Sequence, residues 1–208
     1  MKTIITLTIS LLAFVFSFAQ TPYEKGMTQG LELWKNGKNT EAVAIFERIA
    51  SVETTNYLPN YYIAFINITQ AFQTKDEKEL NNLLTKAQDL IDLETSKNPN
   101  NAEIMVLQAM LHTAWIASNP MVYGMSLSPK VIGIYTKASF LAPENPRVVF
   151  SKAEFEIGGA KWTGANVANL CKQVEKSIQL FATFKPESQF APNWGVERAE
   201  QVVASCKK

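Results

Sequence analysis

From residue 22 onward, apolar side chains recur at intervals of three and four, and no run alternates strictly between apolar and polar. That period belongs to helices with one buried stripe rather than to half-buried strands. It predicts helices over 22–36, 39–53, 58–74, 76–96, 101–118, 129–142, 146–158, 166–184 and 193–206, and so an all-α chain. The breaks fall at helix punctuation: Asn36-Gly37, Pro59, Asn98-Pro99-Asn100, Asn119-Pro120, Pro143, Pro146, Pro186 and Pro192. A proline in a first turn does no harm, because its missing N–H would have had no partner there.

Four of these helices share one pattern. Aligned on Phe46, Leu84, Tyr135 and Val174, they carry Ala42, Leu80, Val131 and Leu170 four residues earlier and Val52, Leu90, Leu141 and Leu180 six residues later. Three after each anchor stand Ile49, Ala87, Ala138 and Ser177, mostly small. Two after each stand Arg48, Lys86, Lys137 and Lys176, always basic. Any surface helix has an apolar stripe, but a basic column and a small column in register with it indicate a repeated unit. The anchors are 38, 51 and 39 residues apart, so IYTKASFLAPENPR closes one unit and opens the next.

These units resemble tetratricopeptide repeats, whose period is about 34 residues. Val131, Tyr135, Ala138 and Pro143 fall on the positions of that family's second helix, and the first copy offers Ala42, Phe46 and Ile49. Gly30 lies where the first helix needs a small residue, and Ala64, Ala109 and Ala153 serve later first helices across longer connections. The insertions, and the missing proline after the first copy, depart from the family pattern. Lys185 to Gly195, KPESQFAPNWG, is similar to the end of small exported helical-repeat proteins of Gram-negative bacteria. The resemblance covers about residues 23–184. It implies a right-handed stack of antiparallel helix pairs, about four repeats, with the last helix capping the open end. First helices would line a concave surface.

The N-terminus changes the setting. MKTIITLTISLLAFVFSFAQ has one lysine, an apolar run from Ile4 to Phe18 and a small residue at Ala19, the order of a secretory signal. The run is shorter than the roughly 20 residues a membrane span needs, and no basic stop follows it. Residues 1–19 are therefore expected to be removed before Gln20, leaving one exported domain, 20–208, in the periplasm or outside the cell. Loss of Lys2 brings the formal charge from +1 to about zero, which gives no electrostatic case for nucleic acid. No insertion of the mature chain into a membrane is expected. Cys171 and Cys206 are candidates for a disulfide in such a compartment, the alternative being two buried thiols.

Candidate chemistry is sparse. His112 is the single histidine, with no local nucleophile or orienting partner, and reads as structural. Gly159 and Gly164 have phosphate-loop spacing, but Ala165-Asn166 replaces the required lysine and hydroxyl. Residues 158–166 read instead as a flexible connection, with Trp162 pinning it to the core. No enzyme activity, cofactor or metal is expected.

Two stretches are candidates for binding. Residues 119–129, with Met121, Tyr123 and Met125, read as an inserted loop that folds back over the core or forms an adaptable lip. Tyr57, Tyr61 and Tyr62 lie in an aromatic stripe that either packs in the core or shows one ring on the concave face. The main expectation is a protein or peptide partner on that face. The alternative is a small-molecule carrier with a cavity beside Trp115 and Tyr123, closed by 119–129. Self-association into a homo-oligomer is the further alternative.

Overall fold

The computed structural model describes residues 20–206; the expected signal, residues 1–19, lies outside them. The described residues are all-α: α1 (Pro22–Lys35), α2 (Asn39–Ala50), α3 (Leu58–Ala71), α4 (Glu77–Lys97), α5 (Ala102–Ser118), α6 (Pro120–Leu141), α7 (Pro146–Thr163), α8 (Val167–Thr183) and α9 (Val196–Cys206). Asparagine starts four of them: the side chains of Asn101, Asn119, Asn145 and Asn166 each accept a backbone N–H of the first turn. Thr21 and Glu24 form a reciprocal capping box at α1.

Consecutive helices pack as hairpins, α1 on α2, α3 on α4, α5 on α6 and α7 on α8. Neighbouring hairpins touch through α2 and α3, α4 and α5, and α6 and α7; α5 also packs on both α3 and α7, and α9 packs on α8. The aligned columns behave as their chemistry requires. Phe46, Leu84, Tyr135 and Val174 are buried, as are Ile49, Ala87, Ala138 and Ser177, while Arg48, Lys86, Lys137 and Lys176 are all exposed. The column six residues after the anchors is not buried: Val52 and Leu141 are exposed, because the second helices end there.

Small residues set how closely a hairpin closes. A Cβ added at Gly30 would stand 2.5 Å from Cε1 of Phe46, whose ring stacks on Tyr62 and has nowhere to go. Gly30→Ala is therefore expected to destabilise, by roughly 1–3 kcal/mol from overpacking, despite its gain in helix propensity. Gly124→Ala, where an added Cβ meets nothing, is expected to stabilise by up to about 1 kcal/mol. Urea midpoints of the two variants should move in opposite directions.

Three expectations need correcting. Residues 119–129 are not a loop: Pro120 opens α6, which continues through Pro129. That proline leaves the Met125 carbonyl without its intrahelical partner, but the site is exposed and water can supply one. Residues 158–163 are likewise helical, and only Gly164, at φ +69°, and Ala165 separate α7 from the cap of α8. Trp162 pins nothing, since it is 78% exposed. Finally, the last helix begins at Val196 rather than 193, because 184–195 is a strap with its own role.

The strap covers the first two hairpins and reaches α7. Phe190 is buried, edge-on to Tyr23 of α1 at 5.7 Å, and its carbonyl accepts the Tyr62 hydroxyl at 2.8 Å. Trp194 stacks on Phe65 at 4.6 Å and donates its indole N–H to the Tyr61 oxygen at 2.8 Å. At its start Phe184 lies under the Arg147 guanidinium, 4.9 Å from ring centre to Cζ.

Candidate functional site

The strap decides the fate of the tyrosines. Tyr61 and Tyr62 are buried, and Tyr57 is half-buried with its ring edge-on to Tyr61. Burial pushes all three phenols up from their ordinary pKa, so they remain neutral hydrogen-bonding groups. The α1–α3 aromatic face expected to receive a partner is filled by the chain's own residues 184–195. The stripe is core, for a physical reason: α3 is enclosed on nearly every side, from Leu58 to Ala71.

An open groove lies elsewhere, at the end of the second and third hairpins. One residue makes the α5–α6 junction. Asn119 ends α5 with its N–H on the Trp115 carbonyl and starts α6 by accepting the Val122 N–H. A turn this tight brings the residues four before and four after it together. Trp115 and Tyr123 pack with ring centres 5.3 Å apart and planes tilted by 53°. The opposite wall comes from the α3–α4 junction: Ala71 and Phe72 at the end of α3, then Thr74 to Asp76, then Leu80 of α4. Asp76 caps α4 through the Glu79 N–H at 2.8 Å, which fixes that wall.

The groove between these walls has a volume of about 440 Å³, within the range of small-molecule sites. Its floor is apolar, with Leu80, Ala114 and Trp115, and Lys75, Asp76, Glu77 and Ser118 form a polar rim. Of the residues singled out from sequence, Tyr123 lines it together with Trp115, as the small-molecule alternative requires. Met121 and Met125 do not; they stand almost fully out in solvent on α6. Phe72, Lys75 and Leu80 were not anticipated, because no local pattern in α3 or α4 marks them as facing residues some forty positions on.

His112 is half-buried on α5, 3.4 Å from the Gln108 amide nitrogen. Burial, and secondarily Lys130, lowers its pKa from the ordinary histidine value, so it is neutral at neutral pH. Among the described residues no cluster of three histidine, cysteine or acidic side chains could hold a metal ion, and no helix is long and apolar enough to cross a membrane. Cys171 and Cys206 are disulfide-bonded, which fits an oxidising compartment outside the cytosol.

Fold and groove together define an all-α protein with a small-molecule-sized cleft across the ends of two helical hairpins. No protein-family model matches the chain, and no curated protein does. Among solved structures it is similar to the HusA haemophore from Porphyromonas gingivalis, with a TM-score of 0.72 and 25% identity, over 90% of this chain and 94% of that one.

Proposed function

We propose that the protein is an exported, non-catalytic carrier of haem or a closely related porphyrin, held in the groove beside Trp115 and Tyr123. One observation carries this reading: a chain that shares most of its length in fold with a haemophore also has a cleft walled by two adjacent aromatic rings. A porphyrin presents a broad apolar face and an edge bearing two carboxylates. The face suits the ring pair and Phe72; on the rim the exposed Lys75 is the one group that attracts a carboxylate, and Asp76 and Glu77 beside it oppose one, so the apolar face carries most of the binding. A cleft open on one side would hold part of the macrocycle and leave the rest for transfer.

In this reading the four hairpins form a right-handed stack of the tetratricopeptide type, closed by α9, and residues 1–19 direct export. The stack is then a frame for the cleft rather than a peptide-binding surface, because residues 184–195 occupy the aromatic face of its first helices.

The test is titration of haem into the chain lacking residues 1–19, followed by the Soret band and by quenching of tryptophan fluorescence. Saturable one-site binding is expected, with Trp115→Ala and Tyr123→Ser each weakening it by about tenfold or more, on the order of 1.4 kcal/mol. Trp162→Ala, on exposed α7 surface, should bind as the parent does. Circular dichroism separates loss of binding from loss of fold. The reading fails if the parent shows no saturable Soret change, or if the groove variants bind as tightly as Trp162→Ala.

A further inference from the structure

Helix α6 is apolar on faces that none of the described residues covers. Its inner side, Val131, Tyr135 and Ala138, is buried in the third hairpin. Its outer side carries Met121, Met125 and Phe140 at 90%, 93% and 85% exposure, with Ile132 between them and Val122 beside. They span about 28 Å of the helix at 1.5 Å per residue; Met121, Met125 and Ile132 lie within about 40° of one another around it, and Val122 and Phe140 widen the strip to about 100°. A helix that is apolar all round is ordinarily enclosed, and an exposed apolar stripe of this length marks an interaction surface. The row is distinct from the groove, which is lined by Tyr123 of α6 and by its cap Asn119.

Charge narrows what covers it. The chain has no aspartate or glutamate from Ile104 to Pro143, all of α6 included, and α6 has two charged residues, Lys130 and Lys137, both exposed. The large side chains stand out singly from the helix, with glycine, serine, threonine and proline between them at 124, 126, 129, 133 and 136. Ser126 and Thr136 do not supply the hydrogen-bonding rim of a protein interface, because their hydroxyls donate to the Tyr123 and Ile132 carbonyls of their own helix. Protruding unbranched and aromatic side chains, lysines alongside and no acid are the features of a helix lying in the headgroup layer of a bilayer.

We infer that α6 is a surface-docking helix for anionic lipid, seating Met121, Met125, Ile132 and Phe140 in the interface while the rest of the protein stays in water. The inference is independent of the ligand in the groove. It also places the mouth beside Trp115 and Tyr123 near the membrane, since Asn119 begins the same helix.

The test is flotation of the chain lacking residues 1–19, without haem, with vesicles of phosphatidylcholine alone and of phosphatidylcholine mixed with phosphatidylglycerol. Partition into the anionic vesicles is expected, falling as salt is raised. Met125→Ser with Phe140→Ser should reduce it about tenfold or more, and Lys130→Glu with Lys137→Glu should remove the preference for anionic lipid. Both pairs are exposed, so circular dichroism and the thermal midpoint should stay close to the parent's. No flotation, or flotation that survives both double variants, overturns the inference. So does a dimer in light scattering that Met125→Ser with Phe140→Ser dissociates, because a second copy would then be what covers the row.

Discussion

Arg147→Ala is expected to lower the free energy of unfolding by about 3–5 kcal/mol, the usual cost of stranding one member of a buried ion pair. Arg147 is 1% exposed, and its Nε and Nη2 reach both oxygens of Glu103 at 2.6–3.0 Å. Asn145 adds a third donor to that carboxylate at 2.6 Å. Burial works against the charge on Arg147, but the hydrogen bonds and charge of Glu103 outweigh it and raise the guanidinium pKa. The pair ties the first turn of α5 to the first turn of α7, and the guanidinium covers Phe184 where the strap departs. Truncation leaves a carboxylate facing apolar walls with one remaining donor. Replacing both partners by Arg147→Met and Glu103→Leu removes that penalty, and should recover most of the lost stability. Urea unfolding followed by circular dichroism measures both. A loss below about 1 kcal/mol for Arg147→Ala would mean that the pair behaves as a solvated one.

That network also shows where the sequence stops being informative. The anchor columns were legible because burial on a helix repeats with the turn of the helix itself, so Phe46, Leu84, Tyr135 and Val174 could be aligned without knowing what they touch. Tyr61 and Tyr62 could not be placed by the same logic, since α3 has almost no polar side to point toward water. The first half of α6 was misread for a different reason. Gly124, Ser126, Ser128 and Pro129 are poor helix formers, yet Asn119 and Pro120 start a helix and the packing of Val131 and Tyr135 continues it. Lys185 to Gly195 stands out as a motif, but its packing role is not legible, because Phe190 and Trp194 bond to residues 128 and 133 positions away, and no local period reports contacts at that range. The groove was half visible: Trp115 and Tyr123 are placed symmetrically about Asn119, whereas its α3–α4 wall depends on how hairpins stack.

Removing the disulfide, by reduction or by Cys171→Ser with Cys206→Ser, is expected to cost about 3–4 kcal/mol and roughly 7–14 °C in Tm. The bond joins the second turn of α8 to the last residue of α9, 35 positions on, and so encloses most of α8, the whole strap and α9 in one loop. Most of its effect falls on the unfolded chain, where closing a loop of about 36 residues removes conformational freedom. The unfolded state without the bond is more extended and exposes more surface, so the urea m-value should rise as the midpoint falls. In the folded state the loss is local first. Helix α9 is held by Ala199 and Val202 against Phe150, Ala153 and Val174, and by Arg198 to Glu154 at 2.7 Å on the surface, too small a contact to resist fraying. The strap is better anchored, because Trp194 and Phe190 are seated in the core of the first hairpins. Hydrogen exchange should therefore accelerate in α9 well before it does in α3 or around Phe190. If both accelerate together, strap and terminal helix unfold as one cooperative unit, and the disulfide holds the aromatic face closed as well as the end of the chain.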